Sequence, residues 1–233
     1  MEPLARQYDD VWLVIPVYNE ETVIQAVVKD AMTVFPHVVC VDDGSPDGSA
    51  SAIAASEAHL VRHPINLGQG AALQTGIAYA RARAGARYFV TFDADGQHRV
   101  EDAAEMVELA RTGAADVVLG SRFLDEDTSS VPWVKRIVLR VVAALSPAAR
   151  RLKLTDAHNG LRVLTRPVAD DLRITMNGMA HASQIVSYLA RSDWRVAEHP
   201  VTIRYTDYSR SKGQSLVNGV NILFDLGVRQ RGA

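Results

Sequence analysis

Val90-Thr91-Phe92-Asp93-Ala94-Asp95-Gly96-Gln97-His98 decides how this chain is read. An apolar strand, Tyr88 to Phe92, runs into two carboxylates spaced i, i+2. In extended backbone such residues point to the same side. Asp93 and Asp95 can therefore present hard oxygen donors to one point at the carboxyl end of a strand. Gly96 lets the backbone turn sharply, and Gln97 adds a third oxygen. The set is short of the ligands a Ca2+ cage needs. It suits Mg2+ or Mn2+, held by one or two carboxylates while substrate phosphates fill the other positions. An isolated pair of this kind is more often a turn with two solvated acids, so its meaning depends on its surroundings.

Upstream, residues 11–17 (VWLVIPV) form a nearly continuous apolar run, as a strand buried on both faces of a parallel sheet does. Pro16 near its end limits further pairing. Tyr18-Asn19-Glu20-Glu21 opens a helix, with Asn19 the expected N-cap and Val23, Ile24, Val27, Val28 and Ala31 facing inward. A second strand over 38–41 runs into Asp42-Asp43-Gly44-Ser45-Pro46-Asp47-Gly48. A helix over 49–58 and a short strand over 59–62 follow. Asn66-Leu67-Gly68-Gln69-Gly70 precedes an Ala-rich helix over 71–84. Beyond the acid pair come a helix over 100–111 and a strand ending in Gly120-Ser121-Arg122. This alternation predicts an α/β fold with a mostly parallel twisted sheet and helices on both faces. In such sheets ligands bind beyond the carboxyl ends of the strands. Asn19-Glu20, Asp42-Asp43, Asp93-Asp95 and Ser121-Arg122 all fall at that edge.

The second half is less regular. Residues 131–154 contain no acid but carry Lys135, Arg136, Arg140, Arg150, Arg151 and Lys153. Trp133, Ile137, Val141, Ala144 and Leu145 recur at helical spacing, so the segment reads as a basic amphipathic helix broken at Pro147. Its two readings are a solvated face and a surface that meets anionic lipid headgroups. A strand over 161–164, a helix over 182–190, a strand over 195–204, a polar loop over 205–214 and a final amphipathic helix over 216–228 complete the chain.

With 48% hydrophobic and 22% charged residues in 233, the composition is that of an ordinary globular protein, of one large domain or two small ones. A net charge of -2 argues against a general nucleic-acid binder. Cys40 stands alone in an apolar strand, which excludes a disulfide and points to a reducing interior. Residues 1–10 are charged with no apolar leader, and no apolar run reaches the length of a membrane span. The expectation is a cytoplasmic protein whose contact with a membrane is peripheral.

Single residues leave alternatives. Asp42 and Asp43 end a strand where an acid commonly accepts hydrogen bonds from a ribose or a base. The pair can also be an Asx-turn and helix cap made by Asp43 and Ser45. Gly68-Gln69-Gly70 lacks the third glycine and the position of a dinucleotide fingerprint. It reads as a helix N-terminus that admits close backbone approach, for instance to a phosphate. Arg122 is an anion clamp or a surface ion pair. His98 can reach a metal or a phosphate, or bond the loop. His158 and His181 lack metal-ligand spacing.

Taken together, Pro16-Val17-Tyr18-Asn19-Glu20, Val41-Asp42-Asp43-Gly44-Ser45, Asn66-Leu67-Gly68 with Gly70, Asp93-Ala94-Asp95-Gly96-Gln97-His98 and Gly120-Ser121-Arg122 resemble the inverting glycosyltransferases of family 2. Within that family the chain is most similar to the dolichol-phosphate mannosyltransferase and polyprenyl-phosphate glycosyltransferase branch. The resemblance covers residues 10–215. It implies a single GT-A domain, with a nucleotide-sugar half over 10–122, an acceptor half over 123–215 and a C-terminal helix over 216–233. The donor it implies is a UDP- or GDP-linked sugar with Mg2+ or Mn2+. Donor-binding residues would be Pro16, Tyr18, Glu20, Asp42, Asp43, Gly68, Asp93, Ala94, Asp95, Arg204, Arg210 and Ser215. The metal set would be Asp93, Asp95 and Gln97. Asp95, Arg122 and Arg136 would serve catalysis, the two arginines on the acceptor phosphate. Gly213-Gln214-Ser215 resembles the branch's mobile donor-phosphate loop.

One departure bears on the acceptor. Members that glycosylate a hydroxyl usually carry a Glu-Asp pair before the last strands, its Asp the general base. Here the region reads Met179-Ala180-His181-Ala182-Ser183-Gln184-Ile185. A phosphate acceptor is already ionised and needs no base, which fits a polyprenyl phosphate. His181, Asp156 or His158 would have to serve the alternative, a glycan hydroxyl. A sugar nucleotidyltransferase would want a glycine-rich loop with Arg after the first strand. A non-catalytic nucleotide-sugar-binding module would not need the intact Asp93-Asp95-Gln97 set.

Overall fold

The structure, a computed structural model, describes residues 7–124, 146–178 and 180–204. Arg136, Arg210, Ser215, the segment 131–145, the loop over 205–214 and the helix over 216–228 lie outside the described residues.

Seven strands form one sheet: β1 (Val11–Val17), β2 (His37–Asp42), β3 (His59–Arg62), β4 (Tyr88–Thr91), β5 (Val117–Ser121), β6 (Arg162–Thr165) and β7 (Val196–Pro200). Their order is β3-β2-β1-β4-β6-β5-β7. Pairing is parallel except that β6 runs antiparallel between β4 and β5. The expected strand over 161–164 is present, but nothing in its residues gave its direction. The helices are α1 (Ile24–Met32), α2 (Ser49–Ala54), α3 (Gln69–Arg81), α4 (Val100–Arg111), α5 (Pro147–Arg151), α6 (Arg166–Asp171) and α7 (His181–Leu189).

The continuous apolar strands have the meaning expected of them: alternate residues feed two separate cores. Leu13, Ile15, Val38, Cys40, Val90 and Val163 pack against α1, α2 and α4. Trp12, Val14, Val39, Phe89, Leu119 and Leu164 pack against α3, α6 and α7. Leu13, Ile15 and Phe89 are wholly buried, each contributing about 1.5–3 kcal/mol.

Several local expectations give way to tertiary contacts. Asn19 is not a helix cap: it takes a left-handed φ of 56°, and α1 begins only at Ile24, after Val23. Helix α2 ends at Ala54 rather than 58, and β7 stops at Pro200. Pro147 starts a helix. It occupies the first turn of α5, where a missing N–H costs nothing, and Ser146 caps that turn by accepting from the Ala149 N–H. No helix among the described residues is long and apolar enough to cross a membrane.

The strand order reverses direction between β1 and β4. The crevice there, beyond the strand ends, is where open α/β sheets bind ligands.

Candidate active site

Two loops are stitched together at that crevice. The Asn19 N–H donates to Ser45 Oγ (3.1 Å), the Glu20 N–H to Ser49 Oγ (2.8 Å) and the Gly48 N–H to Glu21 Oε2 (3.0 Å). These bonds turn the chain after β1 across the end of β2. They leave Tyr18 exposed at the rim and Pro16 buried within β1.

Asp42 and Asp43 divide the work differently from expectation. The Asx-turn belongs to Asp42, whose Oδ1 accepts from the Ser45 N–H (3.2 Å) while Oδ2 accepts from Arg62 Nε (3.1 Å). Asp43 faces the neighbouring loop. Its Oδ1 accepts from the Leu67 N–H (3.0 Å) and meets His63 Nδ1 at 2.7 Å, and its Oδ2 accepts from the Gly68 N–H (2.7 Å). With both oxygens so occupied, Asp43 builds the floor under the 66–68 loop. Asp43→Ala is expected to cost about 3 kcal/mol, since it strands amide donors in a partly buried loop. Urea melts against wild type measure this directly.

The Gly68–Gly70 segment also serves the protein itself. A Cβ at Gly68 would lie 2.4 Å from the Asn177 carbonyl oxygen, and one at Gly70 2.0 Å from that of Met176. The Gly70 N–H donates to Asn177 O (2.6 Å). The close approach read from these glycines is therefore to the 176–178 backbone, and both amides are spent.

β4 ends at Thr91, short of the expected Phe92, so Asp93 and Asp95 stand on the turn that follows the strand rather than in extended backbone. Asp93 accepts from Gln69 Nε2 at Oδ1 (3.2 Å) and from His98 Nε2 at Oδ2 (2.9 Å). Burial alone would raise its pKa; the His98 hydrogen bond and the charges of His98, Arg162 and His181 outweigh that and hold it low. Among the described residues Asp95 accepts only the Gln97 N–H (3.0 Å). Burial, then the Asp93 charge, push it up to about 6, against the lowering effect of the Gln97 amide. Glu20 adds to the repulsion. The crevice thus holds an excess of negative charge focused on Asp95. Among the described residues no three His, Cys, Asp or Glu side chains converge into a complete cage. An excess of charge with few protein ligands fits a divalent ion that finishes its shell with phosphate and water oxygens.

Arg122, just past β5, is neither a surface pair nor a loose clamp. Its Nε and Nη2 donate to Asp156 Oδ2 and Oδ1 at 2.6 and 2.8 Å. Asp156 is 3% exposed. Glu198 of β7 anchors this acid's own backbone, accepting from the Thr155 and Asp156 N–H groups. The guanidinium is therefore aimed by a buried fork.

His181 opens α7. Its Nδ1 must be the donor to the Gly178 carbonyl (2.8 Å), so the neutral ring keeps its lone pair on Nε2. Burial and then Arg162 drive its pKa down to about 4. His158 contacts Ser183 Oγ at 3.3 Å and is likewise lowered, chiefly by burial. Arg204 donates its backbone N–H to Gln97 O (2.9 Å), and its side chain lies near Asp30 and Glu101.

Three contributors escaped sequence reasoning. Gln69 and Gly160 both touch Asp93; a Cβ at Gly160 would lie 2.2 Å from its Oδ2. Arg162 is a charged residue buried inside the sheet. Only the odd placement of Arg162 in an apolar strand was visible beforehand.

Residues 12–173 match the model of glycosyl transferase family 2. An uncharacterized protein of Methanocaldococcus jannaschii is 32% identical over 94% of this chain and 91% of its own. The UDP-N-acetylglucosamine–dolichyl-phosphate N-acetylglucosaminyltransferase of Methanococcus voltae is 26% identical, covering 93% and 94%. The polyprenol monophosphomannose synthase of Mycolicibacterium smegmatis is 27% identical, covering 90% and 82%. Among solved structures, the glucosyl-3-phosphoglycerate synthase of Mycobacterium tuberculosis, in complex with Mn2+ and UDP-glucose, superposes with a TM-score of 0.65. It covers 93% of this chain and 81% of that one at 18% identity, a likeness of fold.

Proposed function

Because the chain belongs to glycosyl transferase family 2, we propose that it moves a hexose, with inversion, from a UDP- or GDP-sugar to a polyprenyl phosphate. The observation that carries the acceptor is the state of His181. A general base works best with a pKa near the operating pH. At about 4, His181 is a poor acceptor for a sugar hydroxyl proton. Asp156, engaged by both prongs of Arg122, is no better placed. A phosphate oxygen needs no such help. The names of the Methanococcus voltae and Mycolicibacterium smegmatis relatives point the same way.

In this reading Asp42, its carboxylate held by the Ser45 N–H and Arg62, shapes the loop against which the nucleoside lies, with Pro16, Tyr18 and Glu20 around it. Asp93, Asp95 and Gln97 hold Mg2+ or Mn2+ with the diphosphate; the ion, when bound, neutralises charge on the departing nucleotide. The Mycobacterium tuberculosis neighbour's Mn2+ complex supports that choice of ion. Arg122, fixed by Asp156, draws in the acceptor phosphate and orients one oxygen toward the anomeric carbon. Positioning and charge placement then supply most of the rate. Arg136, Arg204, Arg210 and Ser215 are assigned to the acceptor and donor phosphates on the family resemblance. Exposed Arg150, Arg151 and Lys153 around α5 continue the basic 131–154 segment and suit contact with an anionic membrane surface.

Labelled UDP- and GDP-hexoses offered with Mn2+ and undecaprenyl phosphate are expected to yield a labelled lipid. Label passing only to glycan hydroxyls would overturn the reading. His181→Gln provides the companion test. Lipid-phosphate transfer should change only slightly, whereas loss of a general base would cost about 10²–10⁴-fold.

A further inference from the structure

Arg122 is held in two ways, and both holds lead to one side chain on β7. Its own N–H, its Nε and its Nη2 donate to the Asp156 carboxylate at 3.3, 2.6 and 2.8 Å. Of its chain neighbours, Phe123 donates its N–H to Ser121 Oγ (3.1 Å), which lies 2.6 Å from Thr155 Oγ1. Thr155 and Asp156 then meet at Glu198, in the middle of β7. Its Oε1 accepts from the Thr155 and Asp156 N–H groups (3.0 and 2.9 Å). Its Oε2 accepts from the Thr155 N–H and hydroxyl (2.8 and 3.0 Å). An ionised carboxylate only accepts. The Thr155 hydroxyl therefore points its proton at Glu198, and the Ser121 hydroxyl donates to Thr155. Every donor of the relay is turned toward Glu198. Among the described residues, the hydrogen-bond partners of this carboxylate all belong to the 155–156 turn.

We propose that Glu198 is a positioning residue of the acceptor half-site: from β7 it sets the aim of Arg122 through Thr155 and Asp156, and touches no ligand itself. The inference rests on the reading above, in which Arg122 takes the acceptor phosphate. A carboxylate suits the task because hydrogen bonds to an ionised acceptor are shorter and stronger than neutral ones. A side chain without two acceptor oxygens would leave a donor of the turn unanswered.

The rival view makes Glu198 a fold anchor with no bearing on recognition. The two views differ on the donor side, since the same turn runs on to Gly160, which lies against Asp93. Loosening the turn as a whole would disturb both half-sites; losing the aim of Arg122 disturbs one. The test uses the full chain as wild type, Glu198→Gln, Thr155→Val and Thr155→Ser. Glu198→Gln turns an amide NH2 onto the donors, Thr155→Val cuts the link to Ser121, and Thr155→Ser keeps it. Calorimetry measures the affinity for Mn2+ with UDP or GDP, whichever the wild type binds. It then measures the affinity for citronellyl phosphate, a short lipid phosphomonoester, with that nucleotide and Mn2+ present. In Glu198→Gln citronellyl phosphate is expected to bind about tenfold more weakly or worse, the scale for residues that orient metal ligands from behind. Nucleotide and Mn2+ affinity should hold. Thr155→Val should weaken acceptor binding in the same way, and Thr155→Ser should recover most of that loss. Equal losses for nucleotide and acceptor, or wild-type acceptor affinity in Glu198→Gln, would overturn the proposal. Should Glu198→Gln not fold, the threonine pair decides, and equal acceptor affinity in Thr155→Val and Thr155→Ser overturns it. Failure of the wild type to bind citronellyl phosphate would count against the lipid-phosphate reading, and this inference would fall with it.

Discussion

Asp95→Asn is expected to slow sugar transfer severely while making the protein more stable. The two effects share one cause. Burial and the Asp93 charge raise the Asp95 carboxyl to about 6, above its ordinary 3.8. A carboxyl raised on folding contributes stability that is fully present below its unfolded pKa and lost as pH rises through its folded one. At neutral pH the ionised Asp95 therefore burdens the fold by on the order of 1–3 kcal/mol. Asn removes the charge and keeps the shape, so the melting temperature should rise by a few degrees at pH 7.5. The gain should shrink as pH falls through 6 and vanish only below the ordinary value of 3.8, where Asp95 is protonated in both states. Activity moves the other way, because the group that repels Asp93 is the one best suited to hold a divalent ion. A loss of about 10²–10³-fold in kcat is expected, the scale for removing one preorganised electrostatic partner. Thermal melts across pH and steady-state rates with saturating Mn2+ check both halves. A variant of wild-type rate would remove the metal role assigned to this residue.

Gly160→Ala should be nearly as damaging, from a residue with no functional group. The added methyl would sit 2.2 Å from Asp93 Oδ2 and 2.7 Å from its Cγ. Gly160 cannot easily retreat, since its carbonyl accepts from the Thr91 hydroxyl (2.6 Å) on the adjacent strand. Asp93 must yield instead, breaking from Gln69 or His98. A displacement near 1 Å in a reacting constellation costs on the order of 10²-fold, and overpacking adds about 1–3 kcal/mol of destabilisation. A double-mutant cycle separates the effects. If Gly160→Ala acts through Asp93, it should add little to the loss already caused by Asp93→Ala. Full additivity of the two losses would show that Gly160 acts elsewhere.

These two residues mark how far the sequence could be followed. Asp93 and Asp95 were legible as a pair because their chemistry and spacing are local, although the strand ends at Thr91 and it is a turn, not extended backbone, that carries them. The alternating elements, and with them the edge that gathers the strand-end motifs, were legible for the same reason. The loop contacts of Asp43 were not legible because an acid at a strand end reads alike whether it faces a ribose or a loop. Its partners, Leu67 and Gly68, lie more than twenty residues along. The glycines of 66–70 announced a close approach but not what approaches. Gly160 announced nothing, because a missing side chain has meaning only against the atom that fills its space.

The sequence by itself determined the parallel α/β framework, the edge at which the site lies and the paired carboxylates, since each follows from periodicity or spacing within one element. Only the tertiary structure decided which acid is left with uncompensated charge, which arginine is aimed by a buried partner and which histidine is held neutral. Those states depend on burial and on charges brought from distant strands by an antiparallel insertion, β6, whose direction no local pattern encodes.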